Sequence, residues 1–229
     1  MAQGKFMPPC MLWQGSFLGG PATKLRIIRI AIEEWLWFGQ QILVGSTKKD
    51  AKATVSQKGK QEHEGDAVKR VGEYWNNISL KYDGEDRDKP WSAAFISWVM
   101  AQAAVQEKDF PRSRRHMTWI HHAIRNKLDG KSGATLIGHK LDDGYIPKTG
   151  DLIGYSRSSW LDYAAAGKQQ YGKSHSDIVV YAWPGEIGVI GGNVEHSVSL
   201  KRLPADDKGR LTDKCYDWFV ILENRLPWC

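Results

Sequence analysis

The chain has 229 residues, with 32 Lys+Arg against 26 Asp+Glu, a formal charge of +6 and a sequence pI of about 9.1. At 41% hydrophobic and 25% charged residues it falls among globular proteins, not disordered or fibrous ones. No apolar run reaches the roughly 20 residues of a membrane span, and three cysteines, Cys10, Cys215 and Cys229, are too few for a disulfide framework, although an oxidising compartment would allow Cys215 and Cys229 to pair. The excess of positive charge favours an acidic partner without choosing among nucleic acid, lipid and cell-wall polymer.

Residues 1–21 are rich in Gly and Pro and are expected to form an N-terminal arm, with residues 22–229 as one domain. The arm has only a broken apolar patch and makes a poor signal peptide. The expectation is cytoplasmic synthesis and export to the cell envelope by a dedicated system. "TKLRIIRIAIEEWLWFGQQI" follows, with Leu25, Ile28, Ile32, Trp35 and Leu36 at helical spacing behind a Thr23 cap. "GSTKKDAKATVSQKGKQEHEGD" is polar and reads as a flexible loop.

A second helix is expected in "DAVKRVGEYWNNI", capped by Asp66, and a third from "PWSAAFISWVM" to about Val105. A fourth runs through "RSRRHMTWIHHAIRNKL" to Asp129 and Gly130. Beyond residue 145 the texture becomes short β-branched and aromatic runs: "GDLIGYS", "SDIVVYAW", "EIGVIGGNVEHSVSLKRL" and "YDWFVILENRL". Helices first and strands afterwards predict an α+β domain, a helical N-terminal half packed on a mainly antiparallel sheet. The long insertion 156–174 between two strands suggests a loop beside a binding face.

No phosphate-binding Gly-rich loop, GxSxG elbow or HExxH pair is present. His116, His121 and His122 are spaced i, i+5 and i, i+6, which does not set a metal-binding pair on one helix face; no metal or cofactor is expected. "PRSRR" over 111–115 reads as a solvated charge run, so nucleic acid is not the expected partner, nor is stable membrane insertion. What remains is a constellation. Ser92 opens a helix, His175 precedes a strand, and Asn193 ends the next one, in the order of a nucleophile, its base and an orienting group. Each also has a plain structural reading: helix-start residue, strand-edge residue and turn former. Asp177 points to the same side of its strand as His175 and is an alternative orienting group. His116 is a second candidate base. Tyr155 and Arg157 are candidates to line the cleft and hold a substrate carboxylate, and Trp91 is open to both a core and a substrate-stacking role.

"PWSAAFISWVM" resembles the "WCAAFVSW" helix of NlpC-type and CHAP amidases and endopeptidases, papain-like enzymes that cut bacterial peptidoglycan. "TGDLIGYSR" is similar to their "PGD" strand, "SHSDIVVYAW" to their histidine strand, and "GVIGGNV" to the strand ending in their third polar group. The order holds from about residue 66 to 200. The whole chain also resembles a bacterial family, still described as a domain of unknown function, whose WSAAFIS helix carries serine. The resemblance implies a papain-like fold, a peptidoglycan substrate and, by analogy with toxins delivered by secretion systems, an immunity protein as partner. It assigns Ser92 as nucleophile, His175 as base and Asn193 as orienting group. Ser92 departs from the cysteine that this chemistry uses, because a helix dipole ionises a thiol but not an alcohol. A native serine hydrolase, an inactive binding module and a Cys-to-Ser change that silences a toxic hydrolase all remain open. A serine esterase or acyltransferase is a further alternative.

Overall fold

Local capping begins the fold. Thr23 accepts the Arg26 N–H at 3.2 Å and starts α1 (Lys24–Trp37). The structure, a computed structural model, describes residues 22–229; the arm expected over 1–21 lies outside the described residues. In α2 (Asp66–Asn76) Gly65 holds the cap position and Asp66 is the first helical residue, so Asp66 complements the helix dipole instead of capping it. α3 (Ser92–Gln102) is apolar around its whole circumference and accordingly buried on all sides, ending three residues before the expected Val105. α4 (Met117–Leu128) begins five residues later than the charge-rich run suggested, with His116 at its cap position.

Eight strands form one sheet: β1 (Gln41–Val44), β2 (Thr54–Gln57), β3 (Leu136–Lys140), β4 (Leu152–Ser156), β5 (Ser174–Trp183), β6 (Glu186–Val194), β7 (Ser197–Pro204) and β8 (Asp217–Asn224). A short helix, α5 (Tyr163–Lys168), lies in the insertion between β4 and β5. The strand order is β2-β1-β7-β6-β5-β4-β8-β3. β1 runs parallel to β7 and every other neighbouring pair is antiparallel, so the α+β class holds with a mixed sheet. Two early strands, β1 and β3, and the strand β2 inside the supposed loop over 46–65 correct the expectation of helices followed by strands. Partners distant in sequence supply the pairing that their local composition does not announce.

Period-two alternation gives the sheet two packed faces. Leu152, Ile178, Ile190, Val220 and Leu222 face the helices, in one core with Ile27, Val71, Phe95, Trp119 and Ile120. Ile153, Val179, Ile187, Val189, Leu203 and Ile221 form a smaller core on the other face, covered by Leu141, Tyr145, Tyr216 and Trp218. Asp151 ties the start of β4 to its surroundings, accepting the N–H groups of Lys148 at 2.9 Å and Asn224 at 3.0 Å. Cys215 is a free thiol, so the Cys215–Cys229 pair is not formed. Among the described residues no helix is long and apolar enough to cross a membrane.

Candidate functional site

Pro90 ends a run of turns and delivers Trp91 and Ser92 to the start of α3. Trp91 is 1% exposed, its ring packed on Phe38 and Tyr74 and its indole N–H given to Glu62. It is a core anchor and does not line the cleft, which corrects its substrate-binding assignment. Asn193 also serves this anchor: with its amide oriented to suit its neighbours, its oxygen accepts the Trp91 N–H at 3.1 Å and its nitrogen donates to Glu62 at 3.3 Å. Asn193 therefore holds the backbone before Ser92 and does not touch His175. Its φ of 52° belongs to the bulge where β6 loses register with β7.

Anchored in this way, Ser92 is the first residue of α3, behind Trp91 at the cap position, which makes no side-chain capping bond. The first helical hydrogen bond runs from the Phe95 N–H to the Trp91 carbonyl at 2.9 Å, so earlier N–H groups of this turn have no helical acceptor. Ser92 Oγ lies 2.8 Å from His116 Nε2. The expected contact with His175 is absent, because the His175 Nε2 is committed to Asp177 at 2.9 Å.

Strand pairing explains how His116 reaches this position. β5 and β6 pair from Ile178 and Ile190 onward, and the preceding residues of β5 have no β6 partner. In that gap the Ser176 backbone N–H donates to His116 Nδ1 at 3.1 Å, and Ser176 Oγ lies 2.9 Å from the same nitrogen. The Trp119 indole N–H donates to Ser176 Oγ at 3.0 Å, which leaves the Ser176 hydroxyl proton for Nδ1. Burial, followed by the adjacent His175, holds the His116 pKa well below its usual range, so the ring is neutral. A neutral imidazole with a backbone N–H on Nδ1 carries its proton on Nε2. His116 thus donates to Ser92 Oγ.

A second imidazole stands behind the first. The His116 and His175 ring centroids are 4.8 Å apart, and the Tyr155 ring packs, tilted, 5.0 Å from His175. His175 is fully buried, and burial drives its pKa down to about 4, against the opposing pull of Asp177. Asp177 accepts from Lys201 Nζ at 2.9 Å. Burial works against ionising Asp177, but Lys201 and then His175 outweigh it and keep the carboxyl well below its usual range. With its Nε2 proton on a carboxylate, His175 retains a buried Nδ1 that has no hydrogen-bond partner. Asp177 is therefore the group that fixes His175, the alternative the sequence offered to Asn193.

Tight backbone makes room for both layers. A Cβ on Gly191 would come within 1.9 Å of Asp177 Oδ1, and one on Gly192 within 2.5 Å of Phe95. These two glycines let β6 lie against the His175–Asp177–Lys201 triad on one side and α3 on the other.

Ser92 and His116 open onto a cleft of about 730 Å³ whose rim carries Arg114, Arg115, Arg157, Lys173, Trp160 and Tyr171. Of the substrate-binding candidates only Arg157 lines it; Tyr155 lies beneath, 4% exposed, its hydroxyl accepting from Arg157 at 3.2 Å. Sequence reasoning missed Lys201, Ser176 and Glu62. A lysine at an inward position of an otherwise buried strand was the available signal for Lys201. Among the described residues, no group of three His, Cys, Asp or Glu side chains is arranged to hold a metal ion.

The family described as "Uncharacterized protein conserved in bacteria (DUF2272)" matches residues 32–229, and the chain belongs to it. No curated protein matches the chain, and no solved structure matches it.

Proposed function

We propose that the protein is a hydrolase of peptide or amide bonds in bacterial peptidoglycan, papain-like in architecture, with Ser92 as nucleophile. One observation carries this reading: a serine on the first turn of a buried helix has its hydroxyl 2.8 Å from a neutral imidazole, and both line a cleft. The helix-start N–H groups beside Ser92 suit the oxyanion of a tetrahedral intermediate. His116 replaces His175 as the immediate partner of the nucleophile, and the His175–Asp177 pair supports it from behind. For His116 to take the Ser92 proton, its Nε2 must first become a lone pair, which requires the Ser176 N–H to release Nδ1. Substrate binding would have to drive that exchange.

A second reading, a module that binds the same ligand without cutting it, is favoured by the resting tautomer. His116 offers Ser92 a proton where a general base offers a lone pair. One experiment separates the two. Purified peptidoglycan is incubated with the wild type and with Ser92→Ala, Ser92→Cys, His116→Ala and His175→Ala, and released fragments are analysed by mass spectrometry. Fragments from the wild type that vanish in Ser92→Ala and His116→Ala support the hydrolase. Release only from Ser92→Cys marks a silenced thiol enzyme, and no release from any variant ends the hydrolase reading for this substrate. ¹⁵N NMR of His116 reports the tautomer with and without ligand.

A further inference from the structure

The rim of the cleft is built from segments remote in sequence, yet its charge has one sign. Arg114 and Arg115 come from the turn before α4, and Arg157 and Lys173 from the two ends of the insertion. The insertion is closed at its base: the Arg157 N–H donates to the Lys173 carbonyl at 2.8 Å, and the Lys173 N–H donates to Ser158 Oγ at 3.2 Å. That closure sets two cations side by side. Arg157 is further fixed by its bond to the buried Tyr155 hydroxyl. Among the described residues none of the four cations forms an ion pair, whereas the nearby Arg112 pairs with Glu107 and Lys201 with Asp177. Among the described residues no Asp or Glu lines the cleft. Trp160 and Tyr171 are 49% and 61% exposed, with ring centroids 6.3 Å apart, and form an aromatic wall beside the cations.

Unpaired cations converging in a concave site focus a positive potential on whatever enters it. Guanidinium groups bind carboxylates through two parallel N–H bonds, and an aromatic wall accepts the flat face of a sugar ring or an amide. A single nucleic-acid strand would require charges tracking along a groove several nucleotides long. Here they converge on one cleft whose volume suits a small ligand or a short segment.

We infer that the cleft selects an acidic glycopeptide, whose free carboxylates are held by Arg114, Arg115, Arg157 and Lys173 while its sugar or peptide plane lies on Trp160 and Tyr171. This names the substrate class of the proposed hydrolase and rests on that reading for the use of the site, but its test does not depend on cleavage.

Binding is measured by calorimetry on Ser92→Ala protein, which cannot use Ser92 to turn the ligand over. The probes are a disaccharide tetrapeptide with free carboxylates, the same compound with its carboxylates amidated, a glycerol-phosphate oligomer and a single-stranded oligonucleotide. Losing a charge-assisted contact weakens binding by about tenfold or more. The expected result is a loss of that size on amidation, a similar loss in Ser92→Ala/Arg157→Gln and in Ser92→Ala/Arg114→Gln/Arg115→Gln, and weaker binding at high salt. Trp160→Ala is expected to weaken both glycopeptides alike. Equal affinity for the free and amidated compounds overturns the inference, and so does tighter binding of the phosphate oligomer or the oligonucleotide. Charge-selective binding with no cleavage by the wild type upholds the inference and removes the hydrolase reading. Cleavage indifferent to amidation does the reverse.

Discussion

Two imidazoles 4.8 Å apart are treated in opposite ways by this fold. His116 is held by neutral donors, the peptide and hydroxyl of Ser176, and meets a cleft through Ser92. His175 is held by charge, through Asp177 and Lys201, and meets only other side chains. The difference separates a place where protons can be exchanged with a ligand from one where the charge is locked. In the buried His175–Asp177–Lys201 triad the Asp177–Lys201 ion pair is costly to break from one side, whereas losing one neutral hydrogen bond at His116 costs less.

Substitutions can break this contrast, and the largest effect is expected in activity. Under the proposed hydrolase function, Ser92→Ala and His116→Ala should each lower peptidoglycan cleavage by about 10³-fold or more, measured as released fragments, with little change in the denaturation midpoint of Ser92→Ala. The next effect is on folding. Lys201→Met leaves the buried Asp177 carboxylate with His175 as its one remaining partner and should cost roughly 3–5 kcal/mol in urea unfolding, while adding Asp177→Asn should restore much of the loss. A Lys201→Met protein as stable as the wild type would mean that the triad is not buried as described.

Acid sharpens the contrast further. The folded pKa of His175 lies near 4, below its usual value, so the unfolded chain takes up a proton that the folded chain refuses. Stability is complete above about pH 6.5 and is lost as pH falls toward 4, by about 3 kcal/mol for this ring alone. Asp177, also depressed, extends the loss below the ordinary carboxylate range. Unfolding followed across pH 7 to 4 checks the sign, and a His175→Phe variant should flatten the slope. The smallest effect belongs to Ser176→Ala, which keeps the peptide N–H on His116. It should cost about 1 kcal/mol and leave the His116 tautomer unchanged by ¹⁵N NMR. A switch to the Nδ1–H form would show that the hydroxyl, not the peptide, fixes the ring.

Much of this arrangement was legible in the sequence, for identifiable reasons. The Thr23 cap, the buried α3 and the strands after residue 145 follow from local pattern, and local pattern suffices for them. Ser92, His175 and Asn193 stand out as residue types in a recognisable order, with Asp177 as the alternative to Asn193. His116 stands there as a second candidate base, but its contact with Ser92 is not legible, because it depends on β5 and β6 parting before Ile178, a feature of pairing that no short window encodes. Lys201 was hidden for a similar reason. In "SLKRL" the neighbouring Arg202 points outward and Lys201 inward, and only the register of β7 against β6 decides which is which. The basic run 111–115 looked solvated until the insertion, folded back on itself, brought Arg157 and Lys173 to the same cleft as Arg114 and Arg115.

The strand order also bears on how the chain folds. β1 at Gln41–Val44 waits for Ser199–Arg202 of β7, and β3 at Leu136–Lys140 waits for Val220–Asn224 of β8. One flank is the local hairpin β1–β2 and the other is β3, and both join the rest of the sheet only through strands made late. Contacts this distant in sequence require large loops to close before they contribute, and chains dominated by them fold slowly. During synthesis the helices and the β1–β2 hairpin can form while β3 stays unpaired and the hairpin stays undocked. Refolding is expected to show early helical signal by circular dichroism and a later, single step when β7 and β8 complete the sheet.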